Sequence, residues 1–156
     1  LYAGLMIKDG IPFVLEFNCR MGDPETQPIM TRLDSDLMSI SLAITEGKLS
    51  NVEIKWKDEA SVCVVLTSKG YPNKYDKGKE IFGLEDVRKM KDVVVFHAGT
   101  AFDNNRIITN GGRVLGVTAI GKDIKAAKDR AYKAIEKIHF EGMHFRRDIA
   151  DKAIKR

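Results

Sequence analysis

The chain opens with two largely apolar segments, separated by a short polar turn. Residues 1–7 and 11–18 have strand composition, and the turn residues 8–10 (Lys-Asp-Gly) lie between them. This arrangement predicts an antiparallel hairpin. Because successive side chains of a strand point to opposite faces, Glu16 and Asn18 should share one face, with apolar side chains on the other.

Two helices are predicted after the hairpin. A proline disfavours helical geometry at the residue before it, so the first helix should begin at Pro28. In the second helix, Ser35 is the expected N-cap, Asp36 a first-turn acid and Gly47 the stop. Apolar positions repeat there at helical spacing, at Leu37, Ile40 and Ile44. We therefore expect this second helix to be a core helix packed on the sheet.

A polar stretch, residues 48–60, separates this first part from a longer second part. Its single tryptophan, Trp56, should be buried at the join; the alternative is a stacking platform for a nucleotide. Beyond the join we predict four strands, at residues 60–68, 93–97, 106–109 and 113–120. A short helix is predicted at residues 84–90 and a long helix, capped by Asp123, at residues 123–138. The tail, residues 140–156, should contain a second short helix. Asn110-Gly111 predicts a type I′ hairpin between the last two strands. The fold class is α+β, with units at residues 1–55 and 56–156.

Composition and charge narrow the possible classes of protein. Hydrophobic residues make up 44% of the chain and charged residues 31%, which is typical of a globular protein, and no apolar run approaches the ~20 residues of a membrane helix. Two cysteines are too few for a disulfide framework, so we expect free thiols in a reducing cytoplasm. Residues 1–50 carry a net charge of −3 and the remainder +7. The basic residues of the second part are interleaved with acids, so we expect a solvated surface and no nucleic-acid binding.

The segment from Glu16 to Gln27, E-F-N-C-R-M-G-D-P-E-T-Q, holds the candidate chemistry. Glu16 and Asn18 both offer hard oxygens, which suit Mg²⁺ or Mn²⁺ better than zinc. Arg20 adds a planar cation suited to phosphoryl oxygens. The alternative is a solvated strand face on which Glu16 and Arg20 form an ordinary surface ion pair.

Glu16-Phe-Asn-Cys-Arg20 resembles the metal-binding strand of the ATP-grasp ligases, and the continuation Gly-Asp-Pro-Glu-Thr-Gln resembles the glycinamide ribonucleotide synthetase (phosphoribosylamine–glycine ligase) family. Further similar segments occur in the family's order, at residues 1–6, 63–66, 70–72, 97–100, 111–115 and 146–149. The resemblance covers nearly the whole chain but only the C-terminal part of that family's length. It implies the end of an ATP-grasp domain with the metal-binding strand, followed by a small C-terminal α+β domain.

The resemblance also implies an activity and a set of site residues. This family uses ATP to join glycine to 5-phosphoribosylamine through a glycyl phosphate, releasing ADP and phosphate. Glu16 and Asn18 would hold Mg²⁺ or Mn²⁺, and Arg20 would act as a catalytic and nucleotide-binding cation. Asp23, Glu25 and Thr26, on the loop that follows, would contact substrate; turn stabilisation is the alternative for Asp23 and Thr26. The expected partners are ATP, glycine, phosphoribosylamine and the N-terminal part of the same polypeptide, with no membrane.

Two rival interpretations remain at the level of sequence. One is another ATP-grasp ligase, such as a biotin carboxylase-like subunit, since the E-x-N-x-R pattern occurs in that superfamily more widely. The other is a non-enzymatic basic module that binds nucleic acid. Because the glycine-rich flap, the ATP-holding lysines and the N-terminal domain of such ligases are not in these 156 residues, we expect the chain alone to be inactive.

Overall fold

The computed structural model describes residues 2–155. Leu1, the first residue of the predicted opening strand, and Arg156, the last of the predicted tail, lie outside the described residues. The strands are β1 (Tyr2–Lys8), β2 (Ile11–Asn18), β3 (Ala60–Ser68), β4 (Val93–His97), β5 (Thr100–Asp103), β6 (Arg106–Thr109), β7 (Arg113–Gly121) and β8 (Met143–His144). The helices are α1 (Thr26–Arg32), α2 (Leu37–Thr45), α3 (Leu84–Arg88), α4 (Ile124–Ile135) and α5 (Asp151–Ile154), with a 3₁₀ turn at Leu49–Asn51.

Antiparallel pairing organises the three sheets that residues 2–155 form. A four-stranded sheet has the order β4-β7-β3-β8, and β1-β2 and β5-β6 form two-stranded ribbons. The predicted α+β class is confirmed. In the part of the chain that the structure describes, no helix is both long and apolar enough to cross a membrane.

The core lies between the four-stranded sheet and α4. Alternate residues of β3 are buried, and they pair in register with buried residues of β7, as in Leu66 opposite Leu115. Ala127, Ala131 and Ile135 of α4 complete this cluster. Fully burying one such leucine stabilises the fold by roughly 1.5–3 kcal/mol. The predicted cap of α4 is confirmed, because the Asp123 carboxylate accepts a hydrogen bond from the Ala126 N–H at 2.7 Å.

Helix α1 covers the opposite face of the same sheet. It packs on β3 and β7, and the hydroxyls of Thr31 and Ser61 are hydrogen-bonded at 2.8 Å. Gln27, near its start, lies 3.7 Å from the position that a Cβ would take at Gly116. A helix of the first unit therefore packs on the sheet of the second; the boundary between residues 55 and 56 stays a prediction.

The predicted hairpin of residues 106–109 with 113–120 is wrong. Strand β6 pairs with β5, and β7 pairs with β3 and β4. The β5-β6 turn consists of Asn104 and Asn105, both in the left-handed region at φ 46° and 63°, which is the geometry a two-residue hairpin turn requires. Asn110-Gly111 instead leads from the small ribbon into the main sheet.

The predicted start of the first helix is also wrong, since α1 begins at Thr26. Its first backbone hydrogen bond, from the Thr26 N–H to the Gly22 carbonyl at 3.0 Å, is already made before the proline. Pro28 then occupies the first turn, where a missing N–H costs little because most first-turn N–H groups lack a helical partner.

Helix α2 differs from its prediction in cap and in packing. Asp36 is the N-cap, because its carboxylate accepts hydrogen bonds from the backbone of Met38 and Ser39 at 3.3 and 2.9 Å. Ser35 instead accepts one from the Lys55 N–H. Only Ile40 of this helix is buried, so its apolar face is exposed and does not pack on a sheet within residues 2–155.

Two further apolar regions are exposed. Trp56, expected to be buried, is 47% exposed, because its strand bridge to Leu33 leaves the ring at the edge of a groove. The β1-β2 ribbon exposes apolar side chains from both faces, each at 50–67%: Leu5, Met6, Ile7, Ile11, Phe13, Val14, Leu15 and Phe17.

Candidate functional site

The β1-β2 register sets the positions of Glu16 and Asn18 near the end of β2. Glu16 pairs with Gly4 and Asn18 with Tyr2, so the two residues lie two positions apart on one strand. A Cβ at Gly4 would lie 3.1 Å from Cγ of Glu16, so the Glu16 side chain crosses above a residue that has no side chain. Nδ2 of Asn18 is buried without a hydrogen-bond partner among the described residues.

Tyr2 joins this strand end to the loop that follows it. Its hydroxyl donates a hydrogen bond of 2.9 Å to Oε1 of Glu25. That hydrogen bond raises the pKa of Tyr2 above its ordinary value, and the negative charges of Glu25 and Glu16 raise it further. Tyr2 is paired with Asn18 across the ribbon. Its hydrogen bond to Glu25 therefore holds the Glu25 carboxylate near the end of β2 that carries Glu16 and Asn18.

The loop from Gly22 to Thr26 is compact. The Thr26 hydroxyl donates to the Gly22 carbonyl at 2.6 Å, and the Thr26 N–H bonds to the same oxygen. Gly22 is buried, and a Cβ there would lie only 2.4 Å from Oε2 of Glu25. The Thr26 hydroxyl therefore stabilises the turn, and its predicted contact with substrate stays a prediction.

Asp23 is held from the second unit by Arg113, the first residue of β7. Nη1 of Arg113 lies 3.0 Å from Oδ2 of Asp23 and donates to the Asp23 carbonyl oxygen at 2.9 Å. Nε of Arg113 donates to the Tyr71 hydroxyl at 2.9 Å. This hydrogen bond and the charge of Asp23 raise the pKa of Arg113 above its ordinary value.

Arg20 lies apart from these contacts. It is exposed, and its Nη1 donates to the backbone oxygen of the next residue, Met21, at 2.8 Å. It makes no ion pair with Glu16 in the described part of the chain, so the surface pair of the alternative interpretation does not form.

Glu16 and Asn18 have the donor chemistry that a hard divalent cation requires. Within residues 2–155 no group of three or more His, Cys, Asp or Glu side chains is arranged to hold a metal ion. Mg²⁺ does not need such a group, because it commonly uses one or two carboxylates together with water and substrate phosphates. A carboxylate and an amide oxygen on one strand fit that pattern.

Sequence reasoning missed Tyr2, Tyr71 and Arg113. The contact of Tyr2 follows from the hairpin register, since it faces Asn18 on the neighbouring strand. No local pattern indicates that Arg113 meets a loop 90 residues earlier. That meeting depends on α1 packing against β7, which only the assembled fold provides.

A groove with a cavity volume of about 1060 Å³ lies elsewhere. It is lined by residues of α1, by the join and by the residues around the start of α4, among them Arg32, Trp56 and Lys122. Ala60 of the main sheet lines it and pairs with Gly121 at one end of β7, whereas Arg113 lies at the other end of that strand. None of the predicted site residues lines this groove.

Comparison with known proteins identifies one family consistently. The family model described as "Phosphoribosylglycinamide synthetase, C domain" matches residues 61–152. The phosphoribosylamine–glycine ligase of Caldanaerobacter subterraneus subsp. tengcongensis is 53% identical over 150 residues, covering 96% of this chain and 35% of that protein. The ligase of the same name from Vibrio vulnificus is 52% identical over 157 residues, covering 100% of this chain and 36% of that protein.

A solved structure agrees with the sequence relatives. The crystal structure of the phosphoribosylamine–glycine ligase from Thermotoga maritima superposes with a TM-score of 0.74 at 38% identity, covering 95% of this chain and 36% of that one. The chain therefore spans about a third of the length of the proteins it matches.

Proposed function

Because this chain belongs to the phosphoribosylglycinamide synthetase (phosphoribosylamine–glycine ligase) family, we propose that it forms the metal-binding and substrate-loop portion of an ATP-dependent ligase. The reaction joins glycine to 5-phosphoribosylamine through a glycyl phosphate and belongs to purine biosynthesis in the cytoplasm. The observation that carries the proposal is the gathering of Glu16, Asn18, Glu25 and Asp23 at one end of the β1-β2 ribbon, tied together by Tyr2 and Arg113. The shared name of the relatives favours this ligase over a biotin carboxylase-like subunit.

Glu16 and Asn18 bind Mg²⁺ or Mn²⁺ in this proposal. When bound, such an ion neutralises charge on the phosphates of ATP, which acts as co-substrate. The two side chains orient the ion relative to the strand end, and Gly4 leaves room for the Glu16 carboxylate. Arg20 contacts the transferring phosphoryl group, since its exposed guanidinium offers donors beyond the one that Met21 occupies.

The loop from Gly22 to Thr26 binds the amine substrate. Carboxylates accept hydrogen bonds from hydroxyls and amines, so Asp23 and Glu25 suit the ribose and the amine of phosphoribosylamine. Glu25 uses one oxygen for Tyr2, and Asp23 uses one for Arg113, which leaves each carboxylate a second oxygen for substrate. The Thr26 hydroxyl oxygen is a further acceptor.

The rest of a longer polypeptide covers the exposed apolar surfaces of the first unit. A two-stranded ribbon is marginal on its own, and contiguous exposed apolar surface usually marks an interface. The apolar faces of β1-β2 and of α2 supply such a surface. The matched relatives are about three times longer than this chain, which gives a partner of the right kind. The 156-residue chain alone is accordingly inactive as a ligase.

Replacement of Glu16 tests the proposal directly. In the full-length ligase, Glu16→Ala should lower kcat at least ~100-fold, the scale of losing one electrostatic element of a preorganised site. It should also raise the Mg²⁺ concentration needed for half-maximal rate. ADP release with glycine and phosphoribosylamine measures both quantities.

Glu46→Ala is the matched control, because it removes an exposed carboxylate paired with Lys48 in the same unit. Wild-type turnover and Mg²⁺ dependence in Glu16→Ala would refute the metal assignment. Measurable ligation by the isolated 156-residue chain would refute its predicted inactivity.

A further inference from the structure

Arg113 and Asp23, on the loop from Gly22 to Thr26, form the one ion pair that joins residues 2–55 to residues 56–155. We propose that Arg113, supported by Tyr71, is a positioning residue: it holds Asp23 so that the loop presents its carboxylates to phosphoribosylamine. This inference rests on the proposed ligase function and adds to it a role for the second unit.

The geometry of the contact fixes both the backbone and the side chain of Asp23. One nitrogen of Arg113 serves the carbonyl oxygen at 2.9 Å and the carboxylate oxygen at 3.0 Å of that residue. A guanidinium is planar and rigid, so two acceptors on one residue set its orientation as well as its distance. Nε of the same guanidinium donates a hydrogen bond of 2.9 Å to the Tyr71 hydroxyl, which fixes a second edge of the group.

Tyr71 is itself held in place by the turn that precedes Arg113. A Cβ at Gly112 would lie 2.2 Å from Cδ2 of Tyr71, so the ring packs directly on that glycine. The Ser68 hydroxyl donates to the Gly111 carbonyl at 2.9 Å, and the Ser68 N–H to the Gly112 carbonyl at 2.9 Å. These bonds tie the turn to the end of β3, so Arg113 extends from a firmly held end of the interior strand β7.

Exposure argues that this contact contributes position more than stability. The side chains of Arg113 and Asp23 are 39% and 58% exposed. Ion pairs with that much water around them contribute little to folding. They can still fix a loop, and a misplacement of about 1 Å in a site can lower turnover about 100-fold.

The loop is thus held at two points. Tyr2, on β1, holds Glu25, and Arg113, on β7, holds Asp23. Loss of Arg113 releases one point only, so binding of the amine substrate should weaken while the metal and ATP groups stay in place.

The test compares Arg113→Gln, Asp23→Asn and the double variant in the full-length ligase, after the wild-type enzyme has been shown to make ADP with glycine and phosphoribosylamine. Arg113→Gln should raise KM for phosphoribosylamine at least ~10-fold and change KM for ATP less than ~2-fold. The double variant should resemble the more impaired single variant, because Arg113 acts through Asp23. Arg113→Lys should recover part of the loss, since it keeps the charge but cannot reach Asp23 and Tyr71 together.

Arg106→Gln is the control, because it removes a comparably exposed ion pair, with Glu80, inside the second unit. It should leave both KM values unchanged. Additive effects of Arg113→Gln and Asp23→Asn would overturn the inference and indicate that Arg113 contacts substrate itself. Equal rises in KM for ATP and phosphoribosylamine would overturn it as well. An inactive wild-type ligase would instead refute the proposed function.

Discussion

The substitution Gly22→Ala should lower the activity of the full-length ligase and leave its thermal stability nearly unchanged. The Cβ of Gly22→Ala would lie 2.4 Å from Oε2 of Glu25 and 3.0 Å from both Cδ of Glu25 and Cζ of Tyr2. To reach an acceptable separation, the carboxylate oxygen must withdraw by more than half an ångström. It can do so because it ends a flexible side chain, and Gly22 is not in the left-handed region that excludes alanine.

The size of the effect follows from that displacement. A shift of about 1 Å in a positioned group can cost about 100-fold in rate, so we expect kcat/KM for phosphoribosylamine to fall by about 10- to 100-fold. The midpoint of thermal unfolding should move by less than about 4 °C, since the strain is relieved by side-chain rotation and not by the backbone. Steady-state ADP release and circular dichroism measure the two quantities on the same preparation.

The same substitution made in a Glu25→Ala variant tests whether Glu25 is the group that moves. In Glu25→Ala, the carboxylate that Gly22→Ala displaces is absent, so the added methyl group should lower activity by less than about 2-fold. Wild-type activity of Gly22→Ala would contradict the argument. So would a loss of the same size in the Glu25→Ala background, because it would show that the methyl group acts on something other than Glu25.

Two further predictions concern stability. Gly83→Ala, at φ 84° and with a Cβ 1.7 Å from the Lys137 carbonyl oxygen, should lower the free energy of unfolding by about 2–5 kcal/mol. Gly78→Ala, at φ 78° with nothing within 4 Å, should lose only about 1–2 kcal/mol, and equal losses in urea unfolding would contradict the steric part of the argument. Hydrogen bonds from the side chain and backbone of Ser39 lower the pKa of Asp36, the N-cap of α2. The stabilisation of the fold by this ionised cap is therefore complete above the unfolded-state pKa of 3.8 and is lost as the pH falls through the lower folded-state pKa. The melting-temperature difference between wild type and Asp36→Ala should therefore narrow below pH 3.8, and a constant difference there would refute the cap assignment.

Patterns within one segment were sufficient to predict several elements. Strands β3 and β4 have the predicted limits, and Asp123 caps α4 as expected. In each case the pattern and its end signal lie within a dozen residues. The residues of the segment itself then determine the limits of the element, independently of the elements that pack against it.

The wrong predictions depended on partners distant in sequence. Asn110-Gly111 has the chemistry of a hairpin turn, but β7 lies between β3 and β4 and is not available to β6. The helical spacing in α2 correctly predicts a helix, yet the surface that its apolar face requires is not among the described residues. For the candidate site, the strand rule indicates Glu16 and Asn18, whereas the contact of Arg113 with Asp23 depends on how α1 sits on the sheet.

The position of α1 also limits how this protein can be divided into modules. The family model begins at residue 61, yet α1, at Thr26–Arg32, covers one face of the sheet that the model includes. A gene fusion or an exchange between homologues made at residue 60 would uncover that face, including the thiol of Cys63, whose pKa is raised by burial. Recombination that keeps residues 22–152 together should preserve both the sheet and the loop beside it.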